Sequence, residues 1–269
     1  MLDQLPTLDH IVILVSHDTL QSLPDRLQST LIVVPGGNHA DGLTSNKLVL
    51  FQDGVYIEFI AFFDDINPER RSKHRWGNLK EDTIIDWAFT SPPRVDFKSI
   101  RQQVLNADTG FSYEEPAAWG RKRADGVMLE WTLSAAKSAS DHAITPGWLP
   151  FWVFDKTPRE LRVPYAVEPA MIEHPSGVRG VSSLSLLVPE QVLTNLTKAY
   201  AAIYGANAAA LGGSEWGYEV PSGSMDGRRT VSLLKSTQIS GVTIGIAFKG
   251  RSSGRVELLP GLVVKVEME

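Results

Sequence analysis

One strand, one helix, then several strands: this order recurs three times along the 269 residues and constrains the fold more than any other feature. In the first unit, the apolar run at 8–16 reads as a buried strand. Residues 17–29 place Leu20, Leu23 and Leu27 at helical spacing, with Pro24 marking a short helix or its start. A β-rich run at 31–34 is stopped by Pro35-Gly36-Gly37. Runs at 47–51 and 55–62 face each other across Asp53-Gly54, a hairpin signal. The second unit has a strand at 84–89 and a helix at 96–107 with Phe97, Ile100, Val104 and Leu105 as its apolar stripe. Strands at 127–133 and 149–154 follow. The third starts with a strand at 181–188. Its helix opens on Pro189 and Glu190, which suit a first turn, and ends near Gly205. Val192, Leu193, Leu196, Ala199, Tyr200 and Ile203 form the helix's apolar face. Strands near 229–235 and 242–248 and an apolar run at 256–266 complete it.

The units are separated by a charged stretch at 64–81, read as a solvated loop, and by a connection at 155–178 with four prolines. Residues 134–148 read as a flexible loop. The modules are therefore expected at 1–64, 82–155 and 178–269, together one compact α+β domain of repeated βαβββ modules rather than a solenoid. The repeat extends to single residues. Asp53-Gly54-Val55-Tyr56-Ile57-Glu58-Phe59 matches Asp125-Gly126-Val127-Met128-Leu129-Glu130-Trp131, and Asp226-Gly227 is a weaker echo.

Within these apolar runs stand two polar residues, His10 and Glu58. Desolvating an imidazole or a carboxylate without a partner is costly, and a shared metal ion is one partner that facing strands can offer. Strand alternation puts His10, Val12 and Leu14 on one face, and Tyr56, Glu58, Ile60 and Phe62 on another. A buried carboxylate with raised proton affinity is also a candidate general base.

Composition narrows the function. A formal charge of −5 leaves no broad basic face for nucleic acid. The absence of cysteine removes disulfides, thiolate metal sites and a Cys nucleophile, and fits a cytoplasmic protein. No run approaches the ~20 apolar residues of a membrane span, and the N-terminus lacks the pattern of a secretory signal. Asn195-Leu196-Thr197 lies in an expected helix and reads as a chance glycosylation match. No Gly-x-Ser-x-Gly elbow or helical His-Glu-x-x-His is present, and Gly212-Gly213 lacks a phosphate-binding context.

The order of a His-bearing first strand, Pro35-Gly36-Gly37-Asn38-His39, Thr44-x-Asn46 and Tyr56-Ile57-Glu58-Phe59-Ile60 resembles the glyoxalase-like domain proteins of the vicinal-oxygen-chelate superfamily. Asp86-Trp87-Ala88, Arg123-x-Asp125-Gly126 with Trp131, Pro150–Phe154 and His174-Pro175 extend the resemblance to about residue 188. It implies paired modules curled into an incomplete mixed barrel around a cleft. It also implies one divalent metal ion, with ligands from first and last strands, holding two neighbouring oxygens of a small-molecule substrate in lyase, isomerase or dioxygenase chemistry.

On that resemblance His10 and Glu58 are the metal ligands. His39, Glu58 and Glu130 are the catalytic candidates, and Asn46, Tyr56, Trp87, Trp131 and Trp152 the substrate pocket. In the second module Asp86 or Trp87 takes the first-strand place, and Glu130 or Asp155 the last-strand place, depending on which run is the last strand. Ser183 and Ile244 fall at the third module's equivalent positions. Plainer readings stand beside these: a satisfied core histidine at His10, a surface turn at His39, a solvent-facing Glu130, core tryptophans, solvated His74 and His142, and an extended loop at His174. The arginines at 70–75 and 121–123 read as solvated faces, with Arg121 or Arg123 as alternative carboxylate binders. The leading expectation is an enzyme acting on a small oxygenated molecule; the alternative is a non-catalytic binder of the same fold. Either a monomer or a homodimer suits three modules.

Overall fold

The computed structural model describes residues 5–91, 96–123, 125–140, 144–205, 214–223 and 228–269. His142, Gly212-Gly213 and Asp226-Gly227 lie outside them. The first repeat comprises β1 (Thr7–Leu14), α1 (His17–Leu27), β2 (Val34–His39), β3 (Thr44–Leu50) and β4 (Tyr56–Phe62). A short helix α2 (Pro68–Lys73) leads to the second: β5 (Thr83–Thr90), α3 (Phe97–Asn106), β6 (Phe111–Tyr113), β7 (Ala117–Lys122), β8 (Met128–Ser134), β9 (Ala136–Ser138) and β10 (Phe151–Asp155), followed by α4 (Arg159–Arg162). The remainder is β11 (Val178–Pro189), α5 (Glu190–Tyr204), β12 (Glu215–Gly217), β13 (Thr230–Ser236), β14 (Thr243–Gly250), β15 (Gly254–Leu259) and β16 (Leu262–Met268).

Local chemistry explains the helices. Ser16 caps α1 by accepting from the Thr19 N–H, and Leu20, Leu23 and Leu27 are its buried face. Pro24 stays inside this helix, which runs on past it. Asp96 caps α3 through the Lys98 N–H. Its stripe is Phe97, Ile100 and Val104; Leu105 is exposed. Gly205 ends α5 at φ +58°, where a side chain would be strained.

The fold is the α+β arrangement of repeated modules around a mixed barrel. Strand order is β1-β4-β3-β2-β7-β8-β10-β5, and the ring closes. Two seams are narrow: β2–β7 is held by Asn38 opposite Lys122 and His39 opposite Arg121, and β5–β10 by Ala88 opposite Phe151 and Phe89 opposite Trp152. Across the centre, β4 runs parallel to β1, β1 antiparallel to β5, and β5 parallel to β10. The six-stranded C-terminal sheet repeats this sequence of pairings with β13, β11, β14 and β16. Its last three strands are thus a helix-free fourth repeat, and the terminal apolar run is a hairpin turning at Gly261.

The outward faces of β1 and β5 pack on this second sheet under α3 and α5. Trp87 stacks on Tyr200, with ring centres 6.4 Å apart, and Phe51 meets Phe248 at 5.3 Å. Asp53, fully buried in the β3–β4 turn, accepts from the Val55 N–H and, across the junction, from the Val181 N–H.

Several expectations need correction. Pro35-Gly36-Gly37 does not stop a strand but forms β2, with a bulge between Pro35 and Gly37. The stretch 134–148 contains β9, which pairs with β6. The Asp125-Gly126 turn joins β7 to β8, the third barrel strand of its module, whereas Asp53-Gly54 joins the third to the fourth. The residue-level match is therefore not a structural equivalence.

Burial pushes the Asp53 carboxyl up to about 6, against the two backbone N–H bonds and the charge of Arg229. A carboxyl raised above its unfolded value of about 4 subtracts stability as pH rises through that interval, by roughly 3 kcal/mol at the upper end. Asp53→Asn has no charge to gain. Its stability relative to wild type should therefore improve between about pH 4 and pH 7 in denaturant titrations; a constant difference would refute this assignment.

Candidate active site inside the barrel

Alternation along the barrel strands decides what faces the interior. Tyr56, Glu58 and Ile60 of β4 line the cavity with Thr44, Asn46 and Leu48 of β3, His10 of β1 and His39 of β2. The opposite wall is Trp119 and Arg121 of β7, Trp131 and Leu133 of β8, and Phe151 and Val153 of β10. The cavity volume is about 70 Å³, room for one small organic molecule or several waters.

His10 is fixed on three sides. Its ring stacks on Tyr56 at 4.6 Å and meets the edge of Phe151 at 5.3 Å. Its Nδ1 lies 2.6 Å from Oδ1 of Asp9, and its Nε2 lies 3.6 Å from Oε2 of Glu58. Asp9 reaches this position because β1 bulges between Leu8 and His10. Burial alone would raise the Asp9 carboxyl. Arg159, Arg162 and the His10 bond outweigh it and hold Asp9 well below the usual carboxylate range. An ionised Asp9 holds a proton on Nδ1, which leaves Nε2 directed towards Glu58.

Arg162 uses all five of its donors. Nη1 bonds Oδ1 of Asp9 at 3.0 Å and the Tyr56 hydroxyl at 2.7 Å, and Nη2 bonds Oδ2 of Asp9 at 3.1 Å and Oδ2 of Asp155 at 2.8 Å. Nε bonds Oδ1 of Asp155 at 2.7 Å. Arg159 adds a bond to Oδ2 of Asp9. Asp155, a last-strand candidate in the sequence, thus serves this network at the end of β10.

Glu58 is held from the glycine-rich strand. Asn46 Nδ2 donates to its Oε1 at 2.5 Å, while Asn46 Oδ1 accepts from the Gly37 N–H at 2.9 Å, which sets the amide's orientation. A Cβ on Gly36 would overlap that Oδ1. Glycine is needed here for close approach, not for a left-handed turn. Arg121 Nη1 donates to the Gly36 carbonyl.

His39, on the same strand, places Nε2 at 3.5 Å from Oε1 of Glu58 and shares a 2.7 Å bond between Nδ1 and the Thr44 hydroxyl. Burial lowers its pKa more than Glu58 and Asp41 raise it, so the ring is neutral at neutral pH.

The structure brings together His10, His39, Asn46, Tyr56, Glu58 and Trp131. Three other residues named from the sequence are elsewhere. Glu130 is exposed on the outer face of β8, because Trp131 and Leu133 take the inner one. Trp87 points outward into the core beneath α5, since a bulge in the β1–β5 pairing puts Ala88 inside. Trp152 points outward under α3, against Phe89, Phe97 and Tyr113.

The charged stretch after β4 is not a solvated loop throughout: His74, Arg75 and Trp76 line the cavity. Burial lowers the His74 pKa to about 4, despite Asp41. Asp86 accepts from Arg75 Nη2 at 2.7 Å and Trp76 Nε1 at 2.8 Å. His174 is no plain loop residue either: it is buried between the Ile32 N–H and the Leu50 carbonyl. Sequence reasoning missed Asp9, Arg75, Trp76 and Arg162. Asp9 carried a signal, a charge inside the same apolar run as His10.

Strand pairing locates the second module's counterpart of this site. His10 faces Tyr56 on β4 and Ala88 on β5, and Ala88 faces Phe151 on β10. Ala88 and Phe151 therefore stand where the first module has His10 and Tyr56, and Val153 where it has Glu58. The second half of a chelating set is apolar. Among the described residues no group of three or more His, Asp and Glu side chains is arranged to hold a metal ion. Glu58 also has one oxygen engaged by Asn46, and Arg121 faces the same space. These residues do not fit a complete metal centre.

A barrel of repeated βαβββ modules with its polar groups on first and last strands defines a class, and comparison with known proteins agrees. Residues 8–204 match the family described as glyoxalase-like domain, so the chain belongs to that family and has the vicinal-oxygen-chelate fold. A hypothetical protein from Staphylococcus aureus has a similar structure, with TM-score 0.64 and 12% identity over 98% of this chain and 100% of that one. A variant of 4-hydroxymandelate synthase from Streptomyces coelicolor aligns with TM-score 0.47 and 15% identity over 91% of this chain and 71% of that one. A search of the curated proteins finds no match.

Asp9→Asn would leave two arginines facing a neutral amide, a loss of about 3–5 kcal/mol for a broken buried pair. The depressed carboxyl contributes stability above its unfolded value of about 4, and this is lost as pH falls below it. The wild-type advantage over Asp9→Asn should therefore be full at neutral pH and shrink in acid. Equal stability at neutral pH would show that the network is idle.

Proposed function

We propose that this chain is an enzyme that transfers protons on a small oxygenated organic molecule held inside the barrel, in isomerase or lyase chemistry. One observation carries this reading: two imidazole Nε2 atoms face the two oxygens of one buried carboxylate, at 3.6 and 3.5 Å, in an otherwise largely apolar cavity. With its proton on Nδ1, neutral His10 would present a lone pair. With Thr44 donating to Nδ1, His39 presents an N–H. An acceptor and a donor thus flank Glu58, the arrangement that general acid–base catalysis needs.

In the step this supports, Glu58 takes a proton from a carbon beside a carbonyl. The C–H electron pair forms the new C=C bond, and the carbonyl oxygen receives the displaced pair and a proton from His39. Where the first carbon also bears a hydroxyl, the product is an enediol: that hydroxyl returns a proton to His39, its O–H pair forms the new C=O, and the C=C pair takes a proton from Glu58 at the former carbonyl carbon, which completes an isomerisation. In an elimination the enol O–H proton returns to His39, the C=O re-forms, and the C=C pair shifts to a new double bond as the leaving group departs from the next carbon with its bonding pair. His10 accepts the proton from Glu58, and Asp9 stabilises the resulting imidazolium, as a carboxylate–imidazole pair does elsewhere.

Deuterium wash-in tests this across a range of candidate substrates. A panel of small ketones, α-keto acids and hydroxy-carbonyl compounds incubated with the protein in D2O should include some that exchange. Glu58→Gln should slow exchange by at least about 100-fold, and His39→Ala should lower turnover while leaving ligand affinity within a few-fold. Exchange equal in wild type and Glu58→Gln would remove Glu58 from the chemistry. A ligand bound with no exchange would favour a binding protein.

The superfamily includes metal-dependent enzymes, and a divalent ion here would act as a Lewis acid. His10 Nε2 and Glu58 Oε2 are the pair it would use. Metal analysis after purification without chelator, and again after incubation with Mg²⁺, Mn²⁺, Fe²⁺ or Zn²⁺, is expected to find less than one ion per chain. A stoichiometric ion lost in both His10→Ala and Glu58→Ala would replace the proton-transfer reading with a chelate.

A further inference from the structure

Among the described residues that line the cavity, Arg75 carries a buried donor that is not engaged. Arg75 donates through Nη2 to Asp86, but its Nη1 is buried without a hydrogen-bond partner. An unmet buried N–H is unfavourable, the more so on a charged group. The side chain is held in place: its guanidinium carbon lies 4.9 Å from the Phe151 ring centre and 5.2 Å from that of Trp76. Phe151 in turn meets the His10 ring at 5.3 Å. Arg75 thus stands one aromatic ring away from the His10–Glu58 pair. It also borders a neighbouring cavity lined by Ala135, Ile144, Pro146 and Leu149.

The other cations of the cavity are less suited to a ligand. Arg162 has every donor engaged, and Arg121 ties Nη1 to the Gly36 carbonyl beside Glu58.

We propose that Arg75 selects the substrate: its unpartnered Nη1–H anchors a carboxylate on an otherwise apolar or aromatic molecule. This rests on the proton-transfer reading only for calling the ligand a substrate. Guanidinium groups suit the role because their planar fork can hold two carboxylates at once, here Asp86 and the ligand. Anchoring at Arg75 leaves the uncharged part of the molecule against Phe151, with its reactive carbon towards Glu58.

Quenching of the tryptophans that line the cavity reports binding of benzoate and phenylacetate against their amides, benzamide and phenylacetamide. Wild type is expected to bind the carboxylates at least about ten-fold more tightly, the scale of one charge-assisted bond. Arg75→Gln should bring acid and amide within about three-fold of each other by weakening only the acid. Arg75→Lys keeps a cation for Asp86 but lacks the second fork arm, so it should retain the fold and lose most of the preference. A preference that survives in both Arg75 variants, that disappears instead in Arg121→Gln, or that wild type never shows overturns the proposal. Glu58→Gln should keep the preference while losing deuterium exchange. Exchange undiminished in that variant would sink the proton-transfer reading and leave the Arg75 anchor standing.

Discussion

The buried pairing of Asp9 with Arg162 is the interaction on which the rest of the site depends. Asp9 belongs to the first strand, Tyr56 to the fourth, and Asp155 to the last strand of the second module, yet one guanidinium bonds all three. The pair therefore closes one end of the barrel and joins both halves of the duplication. Its net contribution to stability need not be large, because desolvating two charges offsets much of their attraction. What it supplies is position. It fixes Asp9, which fixes the proton on His10 and so turns the other nitrogen towards Glu58.

Much of the fold was legible in the sequence because periodicity reports burial. The runs around His10, Glu58 and Trp87 and the leucine spacing of α1 each reflect a single buried face. The strand order and the pairing of modules could be read only through resemblance. The interior of the first module was legible for the same reason: alternation put His10, Tyr56 and Glu58 on inward faces without any structure. The second module was harder. A bulge in the β1–β5 pairing displaced the alternation by one residue, so Trp87 turned outward and Ala88 inward. Bulges leave no mark in a hydrophobic pattern.

Two long connections were misjudged for a different physical reason. Arg75 meets Asp86, and Arg162 meets Asp9 from the far end of the second module. Contacts between residues remote in sequence have no period. A charged loop therefore looks solvated until its partner is located. The Pro-Gly-Gly strand illustrates the same limit. Glycines there resemble a turn, whereas the structure uses their missing side chains to admit Asn46.

Ala88, Phe151 and Val153 stand where duplication would have put a second histidine, tyrosine and glutamate. One wall of the cavity consequently carries the imidazoles and the carboxylate, and the matching positions of the other are apolar. In the proposed reaction, a molecule bound between them would meet acid and base from a single side. Its two mirror-related faces would then not be equivalent, so the proposed proton transfer would have one handedness and would act on one enantiomer of a racemic mixture.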